Sequence, residues 1–136
     1  PPYNTGNEGW CYNDNVNSQM MQQWLSENPV GIEDGLRHDK WCAMMWPRLR
    51  LLHDQLGQAG SLWVTLDDNE IHRARAMLDA IFGEQNFVAT CILHKNFSPK
   101  PSAKFFSEDH DYLLIYAKKK DKWRPDLLER TQDMDE

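Results

Sequence analysis

The feature that most constrains the fold of this chain is a short, continuous apolar run that lies between two amphipathic patterns. The run covers residues 62–66 and is followed at once by Asp67 and Asp68. An apolar run of this length predicts a strand that is covered on both faces, as in a parallel sheet. The chain is therefore expected to be an α/β protein in which helices pack against a sheet.

An apolar stripe at helical spacing precedes this run. Its members are three or four residues apart and are Trp41, Met45, Leu49, Leu52 and Leu56. This spacing predicts an amphipathic helix with Asp39 near its start. Pro47 lies inside the stripe and has no backbone donor, so we expect the helix either to kink there or to give way to a second segment beginning near Trp46.

A second helical pattern follows the run. Its apolar residues are spaced by three, four and three and are Ile71, Ala74, Leu78 and Ile81. Asp67 is the predicted N-cap of this helix, with Glu70 closing a capping box. Gly83 marks its predicted end.

Residues 87–93 and 112–117 are rich in β-branched, aromatic and aliphatic side chains and predict two strands. The segment between them has no helical period, so we expect antiparallel neighbours joined by a long loop. Residues 41–136 thus predict helix, strand, helix, strand, strand. This order is typical of part of an open, mostly parallel sheet flanked by helices, with a terminal antiparallel strand pair.

The remaining residues, 1–40, are rich in turn-forming types and predict a loop with one short helix near residues 18–26. With 136 residues in all, the chain is expected to form one domain at most, residues 1–136, which makes up part of a catalytic domain. No GxG occurs among its seven glycines, so a nucleotide-cofactor half is missing or lies outside this chain.

The composition narrows the class of protein further. A net charge of −6 argues against a free-standing nucleic-acid binder that relies on a basic surface. The three cysteines form no CxxC pattern, so neither a disulfide framework nor a zinc site is predicted. No apolar run is long enough to span a bilayer and no leader begins the chain, so we expect a cytoplasmic protein without a membrane partner.

The chain begins with two consecutive prolines and a tyrosine. Pro1 and Pro2 have fixed φ angles, so the carbonyl of Pro1 is expected to be held rigidly beside the ring of Tyr3. Such a site suits a flat ring that bears an amino group, because the ring can stack while the carbonyl accepts a hydrogen bond from the amine. A simple proline turn with a packing tyrosine is the structural alternative for so short a motif.

Several short segments then occur in an order that resembles the amino-DNA methyltransferases. These segments are residues 1–8, 12–14, 37–41, 46–49, 65–70, 81–84, 110–112 and 116–118. The chain resembles in particular the modification subunits of type III restriction systems and the site-specific adenine methyltransferases related to them. The resemblance runs nearly from end to end.

This resemblance implies a reaction and a set of residues. The family's catalytic turn is Asp-Pro-Pro-Tyr, and Pro1, Pro2 and Tyr3 match its last three positions, whereas the acid would precede Pro1 and is not in this chain. The family transfers a methyl group from S-adenosylmethionine to N6 of an adenine turned out of double-stranded DNA. The amine would donate to the acid and to the Pro1 carbonyl, and Tyr3 would stack on the extruded base.

Other residues receive weaker roles from the resemblance. Asn4 and Thr5 would shape the wall of the base pocket, and Phe97 would be either a second stacking surface or a strand-end core residue. His110 and Asp111 are interpreted as a structural turn rather than as an acid and base pair. Neither a metal ion nor a covalent intermediate is required.

The departures from the family pattern leave three functions open. The glycine-rich cofactor loop and the target-recognition region are absent from these residues, so the chain alone is not expected to methylate DNA. It is either the catalytic half of an N6-adenine methyltransferase of a restriction-modification system, or a truncated non-catalytic module that self-associates through a sheet edge. An N4-cytosine methyltransferase is the third alternative. The implied partners are double-stranded DNA, a restriction subunit and a second copy.

Overall fold

The computed structural model describes residues 1–6, 23, 27, 35–96, 104–106 and 108–126. The helices and strands in these ranges are α1 (Arg37–Gln55), β1 (Ser61–Leu66), α2 (Ile71–Phe82), β2 (Phe87–His94) and β3 (His110–Ala117). A short 3₁₀ helix, Glu84–Asn86, joins α2 to β2. The mixed α/β class is confirmed, and the described elements follow one another as helix, strand, helix, strand and strand.

The three strands in the described ranges form one antiparallel sheet in the order β1, β3, β2. β2 and β3 pair antiparallel, as predicted, with His94 opposite His110. β1 also pairs antiparallel with β3, with Leu66 opposite Tyr112, so the described part of the sheet contains no parallel pair. β1 and β2 therefore run in the same direction on either side of β3, and both end at the end of the sheet where β3 begins.

β1 is not covered on both faces, contrary to the prediction. Val64 and Leu66 are buried and Thr65 between them is half-buried, whereas Trp63, which precedes Val64, is 56% exposed. This alternation is typical of a strand with only one face on the core. The sequence concealed it because the outward-facing Trp63 is itself apolar.

α1 is a single helix that contains Pro47, so the predicted division into two segments near Trp46 is wrong. Pro47 lies on the exposed side of α1. The guanidinium of the neighbouring Arg48 donates to the Met44 carbonyl at 2.6 Å. This bond supplies a donor close to the position where the proline removes one.

The core lies between the two helices and one face of the sheet. Trp41, Met45 and Leu49 of the predicted stripe are buried, Leu52 is 44% exposed, and Leu56, just beyond α1, is partly buried against the core. The other buried apolar residues of this cluster are Met44, Val64, Leu66, Ala74, Met77, Leu78, Phe82, Leu114 and Tyr116.

The start of α2 differs from the predicted capping box. Glu70 rather than Asp67 is the N-cap, and no side chain forms a capping hydrogen bond. The Asp67 carboxylate accepts instead from the backbone N–H and the side-chain amide of Asn69, at 3.0 and 2.8 Å. The end of α2 is as predicted, since Gly83 follows it with a φ of 84°.

Two predictions fall mostly on residues that the structure does not describe. Of the helix predicted near residues 18–26, Gln23 is helical, as is Glu27 just beyond that range, and the Gln23 amide donates to the Glu27 carboxylate at 3.0 Å. Phe97 lies outside the described residues altogether. None of the described helices has both the length and the apolar character needed to cross a membrane.

Candidate functional site

Polar and aromatic side chains meet at the end of the sheet where β1 and β2 end and β3 begins. The first residues of the chain pack against this end of the sheet, although they are distant from it in sequence. We call Pro1, Pro2 and Tyr3 the proline turn. Contacts from α1, from the β1 to α2 connection and from β3 hold it in place, and each is described in turn below.

Trp41 of α1 holds the proline turn from its buried side. Its indole N–H donates to the Pro2 carbonyl at 2.8 Å, and both residues are buried. A buried indole N–H and a buried carbonyl each need a partner, so this bond satisfies both. Pro1, by contrast, is exposed, and no hydrogen bond to its carbonyl is formed within the described ranges. The Pro1 carbonyl therefore has the capacity to accept a bond from a ligand.

Tyr3 is half-buried at the margin of the core and is held by its hydroxyl. The hydroxyl donates to Asp111 Oδ2 at 3.3 Å, and Asp111 Oδ1 accepts from the Lys95 ammonium at 2.7 Å. The hydrogen bond to Asp111 raises the pKa of Lys95 above its usual value. The Tyr3 ring thus has a fixed direction and a cationic neighbour.

Asp111 and its neighbour His110 do not form the structural turn that the sequence predicted. Both lie within β3, and Asp111 links Tyr3 to Lys95, the residue that follows β2. No local pattern indicated this role, because the partners of Asp111 are 108 and 16 residues away.

Asn4 anchors the turn from inside the protein. It is fully buried and has a φ of 61°, in the left-handed region that few residues other than glycine adopt. Its side-chain amide donates to Glu70 Oε1 at 2.5 Å and to the Arg37 carbonyl at 3.4 Å. The Asn4 side chain therefore points toward the start of α2.

Glu70 is the centre of a small buried network that sequence reasoning missed. It is fully buried; besides Asn4, its Oε1 contacts His38 Nδ1, and its Oε2 lies 3.6 Å from the Arg73 guanidinium. The only signal in the sequence was a carboxylate just after a strand. At the start of a helical pattern, that signal is explained equally well by capping.

The remaining predicted residues lie around these contacts. Thr5 is half-buried and follows Asn4 directly. At the same end of the sheet, the Tyr112 hydroxyl donates to Asp68 Oδ1 at 2.8 Å, and this bond raises the pKa of Tyr112. Asp68 and Tyr112 thus join the end of β1 to the start of β3.

The described residues do not have the parts of a cofactor site. Gly57 and Gly60 precede β1 and Gly83 precedes β2, so these glycines lie at the opposite end of the sheet from the proline turn. A glycine loop that holds a nucleotide-like cofactor follows the end of a strand, and none is found in the ranges described. Nor do those ranges bring together three or more His, Cys, Asp or Glu side chains that could hold a metal.

Comparison with known families defines the class of this chain. The family model described as DNA methylase matches residues 1–136. The chain therefore belongs to the DNA methylase family, which includes N6 and N4 methyltransferases. The resemblance that the sequence motifs indicated is confirmed.

The individual relatives include subunits of type III restriction-modification enzymes and a type II methyltransferase. The chain is 33% identical over 134 residues to the type III restriction-modification enzyme EcoPI Mod subunit of Escherichia phage P1, covering 89% of this chain and 20% of that protein. It is 33% identical over 118 residues to the type II methyltransferase M.KpnI of Klebsiella pneumoniae, covering 87% of this chain and 25% of that protein. The EcoP15I Mod subunit of Escherichia coli is 29% identical over 133 residues. The chain thus spans about a fifth to a quarter of the length of these curated relatives.

Cys42 offers a chemical test of the site's electrostatics. Burial first, and then the negative charge of Glu70, raise the pKa of the Cys42 thiol. A raised pKa leaves less thiolate at a given pH, so we expect iodoacetamide to alkylate Cys42 with a midpoint at higher pH than in a short cysteine peptide. Peptide mapping by mass spectrometry between pH 7 and 10 separates this thiol from the other two.

The variant Glu70→Gln supplies the matched comparison for Cys42. It removes the charge but keeps the shape of the side chain, so the alkylation midpoint of Cys42 should move to lower pH. A wild-type midpoint at or below that of the peptide would show that the site lacks the described environment.

Proposed function

We infer that the chain is the acceptor-binding part of a DNA methyltransferase that methylates N6 of adenine within a restriction-modification system. The observation that carries this proposal is the position of the exposed residue Pro1, whose carbonyl has no hydrogen-bond donor among the described residues, next to the anchored ring of Tyr3. Family membership supports it, and so does the similarity to type III Mod subunits.

The proline turn would act on the target amine through its backbone. The lone pair of an adenine amine is delocalised into the purine ring, so it is a poor nucleophile. A hydrogen bond donated by the amine to the Pro1 carbonyl would favour a more pyramidal nitrogen, with its lone pair free for the incoming methyl group. The acid that precedes the prolines in the family's turn would accept the second N–H. Because Trp41 fixes Pro2, the acceptor is already in place before the base arrives.

Tyr3 would hold the extruded base by stacking. Its hydroxyl bond to Asp111 fixes the direction of the ring, so less rotational freedom is lost when a base packs on it. Thr5 and the backbone of Asn4 would line the pocket beside the ring. Phe97 would provide a second stacking surface at the start of the loop after β2.

S-adenosylmethionine is the methyl donor that family membership implies. The described residues do not fit this cofactor, since they include no glycine loop at the end of a strand. We therefore derive no step through it, and assign to these residues only the binding and orientation of the acceptor base. The cofactor would bind to another part of the full-length protein.

The open, mostly parallel sheet is also part of this proposal. Among the described residues β1 has a partner strand on one side only, β3, and the proline turn lies near the end of β1. A strand that ended at Pro1 and lay along the other side of β1 would run parallel to it. β3 would then be the antiparallel exception near one end of a larger parallel sheet.

The partners follow from the same proposal. Double-stranded DNA would be the substrate. A restriction subunit and a second copy of the protein would be the assembly partners. The restriction subunit is suggested by the type III relatives, which are named as Mod subunits of restriction-modification enzymes. The protein would act in the cytoplasm, where its DNA substrate is.

Analysis of the reaction product tests the substrate class. The full-length protein is incubated with labelled S-adenosylmethionine and DNA, and the DNA is digested to nucleosides for mass spectrometry. We expect N6-methyladenosine in its deoxy form. N4-methylated deoxycytidine would contradict the adenine assignment, and unmodified DNA would favour the non-catalytic alternative.

The Tyr3→Ala variant tests the stacking role. Loss of the ring should weaken the hold on the extruded base by about 1–3 kcal/mol. Fluorescence of 2-aminopurine at the target position reports extrusion, and the initial rate of methylation reports turnover. Both should fall together in the full-length protein.

Tyr3→Phe is the matched control, because it keeps the ring and removes only the bond to Asp111. We expect it to retain most of the extrusion signal. If Tyr3→Ala leaves both signal and rate at wild-type values, the stacking assignment is wrong.

A further inference from the structure

The contact between Asn4 and Glu70 joins the proline turn to the start of α2, 66 residues away. Both side chains are fully buried, and the Asn4 amide lies 2.5 Å from Glu70 Oε1. Neither residue contributes to the apolar core cluster. A buried carboxylate is expensive to desolvate and is weak evidence for stability, so its presence at this position needs another explanation.

The backbone of Asn4 supplies that explanation. Its left-handed φ of 61° is disfavoured for any residue with a Cβ atom, and it persists only where neighbouring contacts enforce it. Asparagine is among the few residues other than glycine that adopt this conformation more often than average, and its side-chain amide can form hydrogen bonds that hold it. The bond to Glu70 is the shortest of the contacts described for the Asn4 side chain, and it holds this conformation from within the protein.

This conformation determines where the proline turn points. Pro1 and Pro2 cannot rotate about φ, so these two residues move largely as one unit. Trp41 fixes the unit at Pro2, and the Asn4 contact fixes the chain that leaves it. Without the second contact, the two prolines can pivot about the bond to Trp41 while the Tyr3 hydroxyl stays on Asp111, and the Pro1 carbonyl would lose its direction.

We propose that Glu70 is a positioning residue for methyl transfer, which acts through Asn4 to aim the Pro1 carbonyl at the target amine. This inference rests on the proposed function of the proline turn. Glu70 itself touches neither the base nor the methyl donor. His38 and Arg73 contact the same carboxylate and keep it oriented toward Asn4.

The first test compares chemistry with binding in the full-length protein. Misplacing a reacting group by about 1 Å can cost up to about 100-fold in rate. We expect Glu70→Ala to lower the single-turnover rate of methylation about 10- to 100-fold. KM for DNA and the 2-aminopurine extrusion signal should stay within about twofold, because the Tyr3 ring keeps its own anchor. Glu84→Ala, an exposed carboxylate at the opposite end of the sheet, is the control and should have no effect.

The second test exchanges donor and acceptor. Asn4→Asp places two carboxylates against each other and should lower the rate as much as Glu70→Ala does. Adding Glu70→Gln to Asn4→Asp restores an isosteric pair in which the glutamine amide donates to the aspartate. We expect this double variant to recover at least about tenfold of the lost rate, since the bond is re-formed in reverse.

Four outcomes would overturn the inference. One is an unimpaired Glu70→Ala enzyme, and another is a loss confined to KM. A third is failure of the double variant to recover rate although its circular dichroism and melting temperature match those of wild type. If Glu70→Ala does not fold, the exchange test still decides, because its variants preserve side-chain volume. A wild-type protein that methylates no DNA would be the fourth, and it alone would overturn the proposed function together with this inference.

Discussion

Replacing Trp41 by alanine is expected to lower the free energy of unfolding by about 3–5 kcal/mol, the usual range for a fully buried aromatic residue. Trp41 is 0% exposed and belongs to the core between the helices and the sheet. Its removal leaves a cavity and also leaves the buried Pro2 carbonyl without its donor. Urea unfolding followed by far-ultraviolet circular dichroism measures the loss without relying on tryptophan fluorescence.

Trp41→Phe separates the two parts of this effect. It keeps most of the apolar volume and removes the indole N–H, so we expect a loss of about 1–3 kcal/mol from the unsatisfied carbonyl and the smaller ring. In the full-length protein this variant should also methylate more slowly, because the proline turn loses its bond to α1. A Trp41→Ala protein as stable as wild type would show that the described core is wrong.

The second large effect is expected at Phe82, the last residue of α2. Its ring is 4% exposed and contacts His53 edge-on, with 4.7 Å between ring centroids, and Tyr116 at 5.5 Å. These contacts join α1, α2 and β3 at the end of the sheet opposite the proline turn. Phe82→Ala should therefore destabilise the protein by about 3–5 kcal/mol in the same urea experiment.

Leu51→Ala is the matched control for Phe82→Ala. Leu51 is apolar but 61% exposed on α1, so its truncation should change the free energy of unfolding by less than about 0.5 kcal/mol. Equal effects of the two variants would contradict the assignment of Phe82 to the core. A methylation rate that survives Phe82→Ala below its melting temperature would fit the distance of this residue from the site.

The helices and strands were predictable where local periodicity follows burial. The stripe from Trp41 to Leu49 and the pattern from Ile71 to Ile81 each repeat at helical spacing, and the structure packs them into one core, in which Ile71 and Ile81 are only partly buried. The burial of β1 was predicted wrongly because Trp63 is apolar yet exposed. Hydrophobicity alone does not separate a strand with two covered faces from a strand with one.

The contacts that build the candidate site were harder to predict from the sequence. The proline turn was visible as a motif, but its anchors depend on pairs such as Tyr3 with Asp111 and Asn4 with Glu70, which are 108 and 66 residues apart. No local pattern encodes such pairs. The local pattern at Glu70 even favoured the wrong interpretation, because an acid at a helix start normally caps the helix, whereas here Oε1 of Glu70 contacts Asn4 and His38.

The position of β3 has a consequence for biosynthesis. β3 is the last of the three described strands to be translated, yet it lies between the other two and supplies all the ladder hydrogen bonds that they form in this sheet. On the ribosome, β1 and β2 remain without these partners until Ala117 has left the exit tunnel. Nascent chains that stall before this point would expose two unpaired strand edges, which are the surfaces that chaperones protect against aggregation.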